Sequence, residues 1–204
     1  MVEAIEGEMK TYLFIDGTNL YAAQYELFGP QRYLDFSKFI KEVEGKIKVR
    51  FDKIYFYASY SPKSKKPTKK EKLYLKNEAL FYGSVKGTKN TIFFYGYRSK
   101  RSGKEKEVDV KLTADLISFA FLNKYERAFL FTGDADFLQA LFVIKKFHFR
   151  KKIYLLCLEN KLMYQGIFYF KTFAISFGKR LAVKRKLRNL KKLFMNERKL
   201  TREA

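Results

Sequence analysis

The sequence predicts a three-layer α/β domain: a mainly parallel sheet of five or six strands covered by helices on both faces, followed by a basic C-terminal helix. Three observations lead there. Strand-like and helix-like segments alternate at least five times along the chain. The first strand-like segment, Thr11 to Asp16, is a short apolar run that breaks into the polar turn Gly17-Thr18-Asn19, as a parallel strand does where it meets its loop. The 204 residues suit one compact domain that buries roughly 70% of the surface its unfolded chain exposes, and two full domains would be cramped. Hydrophobic residues make up 47% of the chain, with 22 Phe and 15 Tyr, which excludes a disordered chain and implies an aromatic-rich core.

The elements follow in order. After the Gly29-Pro30 turn, Leu34, Phe36, Phe39, Ile40 and Val43 recur at helical intervals. Phe51 to Tyr60 is the second strand. Two prolines break the pattern between Ser61 and Lys70, and a basic helix with Leu73, Leu80 and Phe81 on one side runs on to Tyr82. Thr91 to Tyr97 is the third strand. From Lys106 to Leu122 the period is helical again, with Val108, Leu112, Asp115 and Phe119 on one stripe. A carboxylate on an apolar stripe must be paired, hydrogen-bonded or metal-associated, because burying it bare is prohibitive. Arg127 to Gly133 is a strand, Asp136 to about Phe147 a helix, Lys151 to Leu158 a strand, the region of Leu162 a short helix and Lys171 to Ser176 the last strand. Residues 1–177 form the domain, and 178–204 read as a basic helical extension.

Several chemistries lack their raw material. No apolar run reaches the length of a membrane span, and the N-terminus has no apolar signal core behind a basic start, so the expected location is cytoplasmic. Cys157 is the single cysteine, set in the apolar run IYLLCL, where it reads as a buried inert thiol. His148 is the single histidine. A zinc site, a Cys-His pair or a Ser-His-Asp triad is therefore unsupported, and any metal would need oxygen ligands, which points to Mg2+ or Mn2+. No glycine-rich nucleotide loop is present.

Charge is the strongest global feature, at a formal +22 from 43 Lys+Arg against 21 Asp+Glu. That balance implies a polyanionic partner unless the parent proteome is simply rich in lysine. Clustering favours the partner. Seven lysines fall between Lys63 and Lys76, including Lys65, Lys66, Lys69 and Lys70. The tail carries Lys184, Arg185, Lys191 and Lys192 among its basic residues, interleaved with Leu181, Leu187, Leu190 and Leu193 in a helix-compatible pattern. Nucleic acid fits such surfaces, with Tyr60 or Tyr97 available for base stacking or, alternatively, for the core. Lys106 reads as a phosphate contact or as a solvated lysine.

In an open α/β sheet, ligands bind outside the carboxyl ends of the strands. The polar residues expected there are acidic: Asp16 closes the first strand, Asp134 and Asp136 follow the fourth, and Asp109 begins the helix after the third. Each has an ordinary structural reading, Asp134 or Asp136 as a helix cap, Asp16 as turn chemistry and Asp109 as an exposed helical residue. Their arrival from three segments at one edge favours a shared cation, since unscreened carboxylates repel.

The segments FIDGTNLY, KEVDVKLTADL and FTGDADF resemble the three signature blocks of NYN domains, the PIN-like nucleases that include LabA-type bacterial proteins, over roughly Thr11 to Phe177. The resemblance implies a Rossmann-like, PIN-like fold and metal-dependent cleavage of RNA, with DNA not excluded. It assigns the catalytic and metal-holding acids to Asp16, Asp109, Asp134 and Asp136, with Asn19 as the polar partner of the first block, Asp115 as the second acid of the middle block and Thr132 beside the Gly-Asp step. The loop Phe147 to Lys152 departs from the family by lacking a glycine often found there, which bears on substrate fit. Two rival readings stand beside it. One is a catalytically silent RNA-binding or adaptor module; the other is a phosphatase, disfavoured because Thr18 stands where an acid two residues after Asp16 is wanted. A homodimer is left open.

Overall fold

The computed structural model describes residues 9–29, 33–98, 105–148 and 150–175. Its central sheet is built from β1 (Thr11–Asp16), β2 (Lys53–Ala58), β3 (Thr91–Tyr95), β6 (Arg127–Phe131), β7 (Lys152–Leu158) and β8 (Lys171–Ile175). Their order is β3-β2-β1-β6-β7-β8, and every neighbouring pair is parallel. A two-stranded antiparallel ribbon, β4 (Tyr97–Arg98) with β5 (Glu105–Lys106), stands apart from it.

Parallel strands covered on both faces have no solvent side, so apolar residues fill consecutive positions and successive side chains serve different cores. Leu13 and Ile15 of β1, with Phe129 and Phe131 of β6, face one layer, formed by α1 (Gly17–Phe28), α2 (Phe36–Ile47) and α3 (Lys69–Lys86). Phe14, Ala128 and Leu130 face the other, formed by α4 (Val108–Phe121), α5 (Leu138–Phe147) and α6 (Tyr164–Ile167). The expected three-layer domain is the one observed. Cys157 is buried at 1% exposure, and its thiol is pushed above its ordinary range by desolvation. The proposed basic C-terminal helix lies outside the described residues, and among those described no helix is long and apolar enough to cross a membrane.

Three elements depart from the sequence reading. Thr91 to Tyr97, expected as one strand, divides at Gly96 into β3 and the ribbon strand β4, and Lys106, expected to open the helix that carries Asp109, lies in β5, so α4 starts at Val108. Gly17-Thr18-Asn19, expected as a turn, is the first turn of α1, which runs to Phe28 with Leu20, Tyr21 and Ala23 buried. Asp16 caps it by accepting a hydrogen bond from the Asn19 N–H. Capping and turn residues share one chemistry, a short polar side chain bonded to nearby backbone, so the local sequence does not separate them. Gly17 is required by packing: a Cβ there would meet the Phe56 ring at 2.1 Å.

Candidate metal centre

The strand order reverses between β1 and β6, the first strands of the two halves of the sheet, so the crevice outside their carboxyl ends is the topological switch point. Asp16 is the last residue of β1 and Thr132-Gly133-Asp134 follows the end of β6, with Ile15 paired to Phe131. A short relay of hydrogen bonds joins the two strand ends. Thr132 Oγ1 donates to Asp16 Oδ2 at 3.0 Å and accepts from the Asp134 N–H at 3.0 Å. Asn19 Oδ1 accepts from the Gly133 N–H at 3.1 Å, tying the first turn of α1 to the β6 loop. Asp134 Oδ1 in turn accepts from the Asp136 N–H at 2.9 Å, capping the short 3-10 turn Ala135–Phe137 that leads into α5. The loop is held close: a Cβ on Gly133 would meet the Lys161 carbonyl oxygen at 2.5 Å.

Asp16 is 5% exposed, whereas Asp109, Asp134 and Asp136 are open to solvent. Burial pushes the Asp16 carboxyl up to about 7. Its hydrogen bonds from Asn19 and Thr132 pull the other way, and the charges of Asp109 and Asp134 add to the rise. Asp109 occupies the first turn of α4, more than ninety positions from Asp16 in sequence, yet its charge is felt at β1. Asp136 joins the group through its backbone N–H, and its own carboxylate is exposed.

Asp115 has a different environment. At 8% exposure, it accepts from Tyr57 Oη at 2.9 Å and from Lys111 Nζ at 2.6 Å, so each carboxylate oxygen has a partner within the protein. Tyr57, the residue paired with Asp16 across β1 and β2, is held protonated well above its ordinary range by burial and then by the Asp115 charge. This network ties α4 to β2 at Asp115. Lys111 and Asp115 stand at i and i+4, a spacing legible in KLTAD, whereas nothing local marks Tyr57 as the second partner.

Lys65, Lys66, Lys69 and Lys70 are exposed on the segment after β2 and the start of α3, above the same sheet edge. Buried Glu78 pins that segment by accepting from the Ser61 N–H at 2.9 Å and the Ser61 hydroxyl at 2.6 Å, an anchor that no local pattern in the sequence marks. Tyr60 packs on Tyr82 and Tyr95, while Tyr97 is exposed. The backbone of Lys106 lies in β5. Lys184, Arg185, Lys191 and Lys192 lie outside the described residues.

The donor chemistry suits a hard cation. Every side chain in the group offers oxygen, and the buried Asp16 carboxyl is held back from ionising by burial and by neighbouring carboxylates, a penalty that a cation would offset. Among the described residues no three His, Cys, Asp or Glu side chains are gathered closely enough to hold an ion by themselves. The four acids expected to share an ion are therefore not gathered into one ligand set among these residues, and an ion there would need waters or substrate oxygens to complete its shell.

The NYN domain family pattern matches residues 10–165. No curated protein matches the chain. Among solved structures, a protein of unknown function from Vibrio parahaemolyticus RIMD 2210633 is similar over 86% of this chain and 97% of that one, at 19% identity and a TM-score of 0.61. At that identity the likeness is one of fold alone.

Proposed function

The chain belongs to the NYN domain family of the PIN-like nuclease superfamily, and we propose that it is a ribonuclease that hydrolyses RNA phosphodiester bonds with Mg2+ or Mn2+ held by Asp16, Asp109, Asp134 and Asp136. The observation that carries the reading is electrostatic. In a chain of net charge +22, acids from three separate segments lie near the switch point, and the charges of Asp109 and Asp134 add to the burial that raises the Asp16 carboxyl.

When bound, a divalent cation there supplies positive charge against the phosphate oxygens and lowers the pKa of a coordinated water. The chain's residues set the geometry. Asn19 and Thr132 fix both oxygens of Asp16, so the carboxylate is oriented before any ligand arrives. The Asp136 N–H fixes Asp134 in the same way. The Tyr57–Asp115 hydrogen bond ties α4, the helix that carries Asp109 in its first turn, to β2. Lys65, Lys66, Lys69 and Lys70 supply cationic surface for the phosphate backbone at that edge. A side-chain nucleophile is disfavoured, because Cys157 is buried with its thiol pushed up and His148 follows α5 at the opposite sheet edge.

Labelled single-stranded and structured RNA, with DNA counterparts, incubated with manganese, magnesium or EDTA tests the proposal directly. Cleavage is expected with metal and none in EDTA, and Asp134→Asn, which keeps size and removes charge, should lower the rate by orders of magnitude in a folded protein. Binding without cleavage under all conditions would instead establish the catalytically silent RNA-binding module.

A further inference from the structure

The crossover from β7 to β8 carries an aromatic strip with no assigned role. It begins at the catalytic edge, where the Lys161 carbonyl packs on Gly133 beside Asp134, and ends toward the opposite edge, where Lys171 pairs with Tyr154. Met163, Gly166 and Phe170 anchor it in the core, and a Cβ on Gly166 would meet Leu155 at 2.5 Å. Gly166 stands about 200° from both Tyr164 and Phe168 at 100° per residue, so those two rings face outward one turn apart. The exposures agree: Tyr164 68%, Ile167 45%, Phe168 85% and Tyr169 56%. Single exposed apolar residues are ordinary, but four among six consecutive residues form a patch, and such patches mark binding surfaces.

We infer that this strip is a base-stacking platform for unpaired nucleotides of a single-stranded RNA, starting three residues after the Lys161 contact with Gly133 and running away from the acidic group toward the opposite edge. Its occupant is identified by chemistry. Flat rings fixed on a rigid element suit nucleobases, and exposed Lys145 and Lys171 flank the strip, with Lys145 Nζ 5.6 Å from the Phe170 ring centre and Tyr169 edge-on to Phe142 of α5. A second copy of the chain is less suited. Fully buried aromatic residues cover about 150–250 Å² each, so four partly covered side chains fall short of the ~800 Å² per partner that a stable dimer needs. The family match ends at residue 165, so most of the strip lies beyond what the family pattern describes. The inference rests on the nuclease reading for its substrate class and adds a preference for unpaired bases.

Fluorescence anisotropy in EDTA, with a labelled oligouridine of about 12 nucleotides and a duplex of the same length, tests it on the full chain. The double variant Tyr164→Ala/Phe168→Ala should bind the single strand about 10- to 100-fold more weakly and the duplex unchanged. The dependence of affinity on salt should keep its slope, because no charge is removed. Restoring a flat ring with Tyr164→Phe and Phe168→Trp should restore affinity. Equal single-strand affinity for variant and parent overturns the inference, as does a fall in oligomeric mass with affinity unchanged, which would make the strip a self-association surface. Cleavage is scored separately. A parent that binds through the strip and never cuts ends the nuclease reading alone, and a parent that cuts while the variant binds equally well ends the platform alone.

Discussion

Asp16 carries a proton more readily in the folded chain than in the unfolded one, because burial and the charges of Asp109 and Asp134 lift its pKa to about 7. The sign of the linkage follows. Stability from this group is complete below about pH 4, falls as the pH rises toward 7, and is gone above it, since the unfolded chain then releases the proton without penalty. In EDTA, urea midpoints should therefore drop between about pH 4 and pH 7 through this group. Asp16→Asn should flatten that drop and raise stability at the higher pH by a few kcal/mol, since each tenfold change in proton affinity is worth ~1.4 kcal/mol. Saturating manganese should offset the loss in the parent at high pH and do little for the variant. A pH profile identical in parent and variant would show that the Asp16 proton has no such environment.

At the scale of elements, α4 is the piece whose position decides whether Asp109 belongs to the site. Its apolar stripe packs Val108, Leu112 and Leu116 into the core, yet apolar packing alone does not choose a rotation about the helix axis to within a hydrogen bond. Tyr57 does, by donating to Asp115 from the neighbouring strand. Tyr57→Phe keeps the ring and removes the donor, leaving the buried Asp115 carboxylate to Lys111, so unfolding free energy should fall by about 1–3 kcal/mol. The same variant should lose affinity for manganese, read by the metal-induced rise in melting temperature, because Asp109 is no longer held in register. Lower stability with undiminished metal response would confine Tyr57 to a structural part.

Over the whole molecule, charge and topology act together. The sheet order puts the acidic group and the exposed lysines after β2 at one edge, so a polyanion drawn to the basic surface arrives where the acids sit. Each phosphate neutralised on a single strand contributes about −0.7 to the slope of log affinity against log salt. Replacing Lys184, Arg185, Lys191 and Lys192 by Glu should flatten that slope by up to about 3 and leave cleavage of a short substrate at saturation nearly unchanged. Filter binding over a salt series, with light scattering on the same samples, reads both affinity and mass. An unchanged slope with a changed mass would assign the tail to protein docking.

Much of this was legible along the chain. The strands appear as apolar runs because a buried parallel strand must be apolar at consecutive positions, and Asp16, Asp109 and Asp134 stand out because acids are sparse at strand ends in so basic a protein. Asp115 on an apolar stripe announced that it needed partners, though not which ones. The first helix was not legible, since Asp16 and Asn19 make the same local bonds in a cap as in a turn. Nor were the anchoring of Ser61 by Glu78 and the outward face of Tyr164 and Phe168. Periodicity and spacing record what each residue must bury or bond within a few positions of itself, and that was enough for the layers and for placing Asp16 and Asp134 at strand ends and Asp109 in the first turn of α4. Which acids meet, which tyrosine satisfies Asp115 and which aromatic rings stay in water depend on strand order and on contacts across tens of residues, and those are decided only when the sheet is assembled.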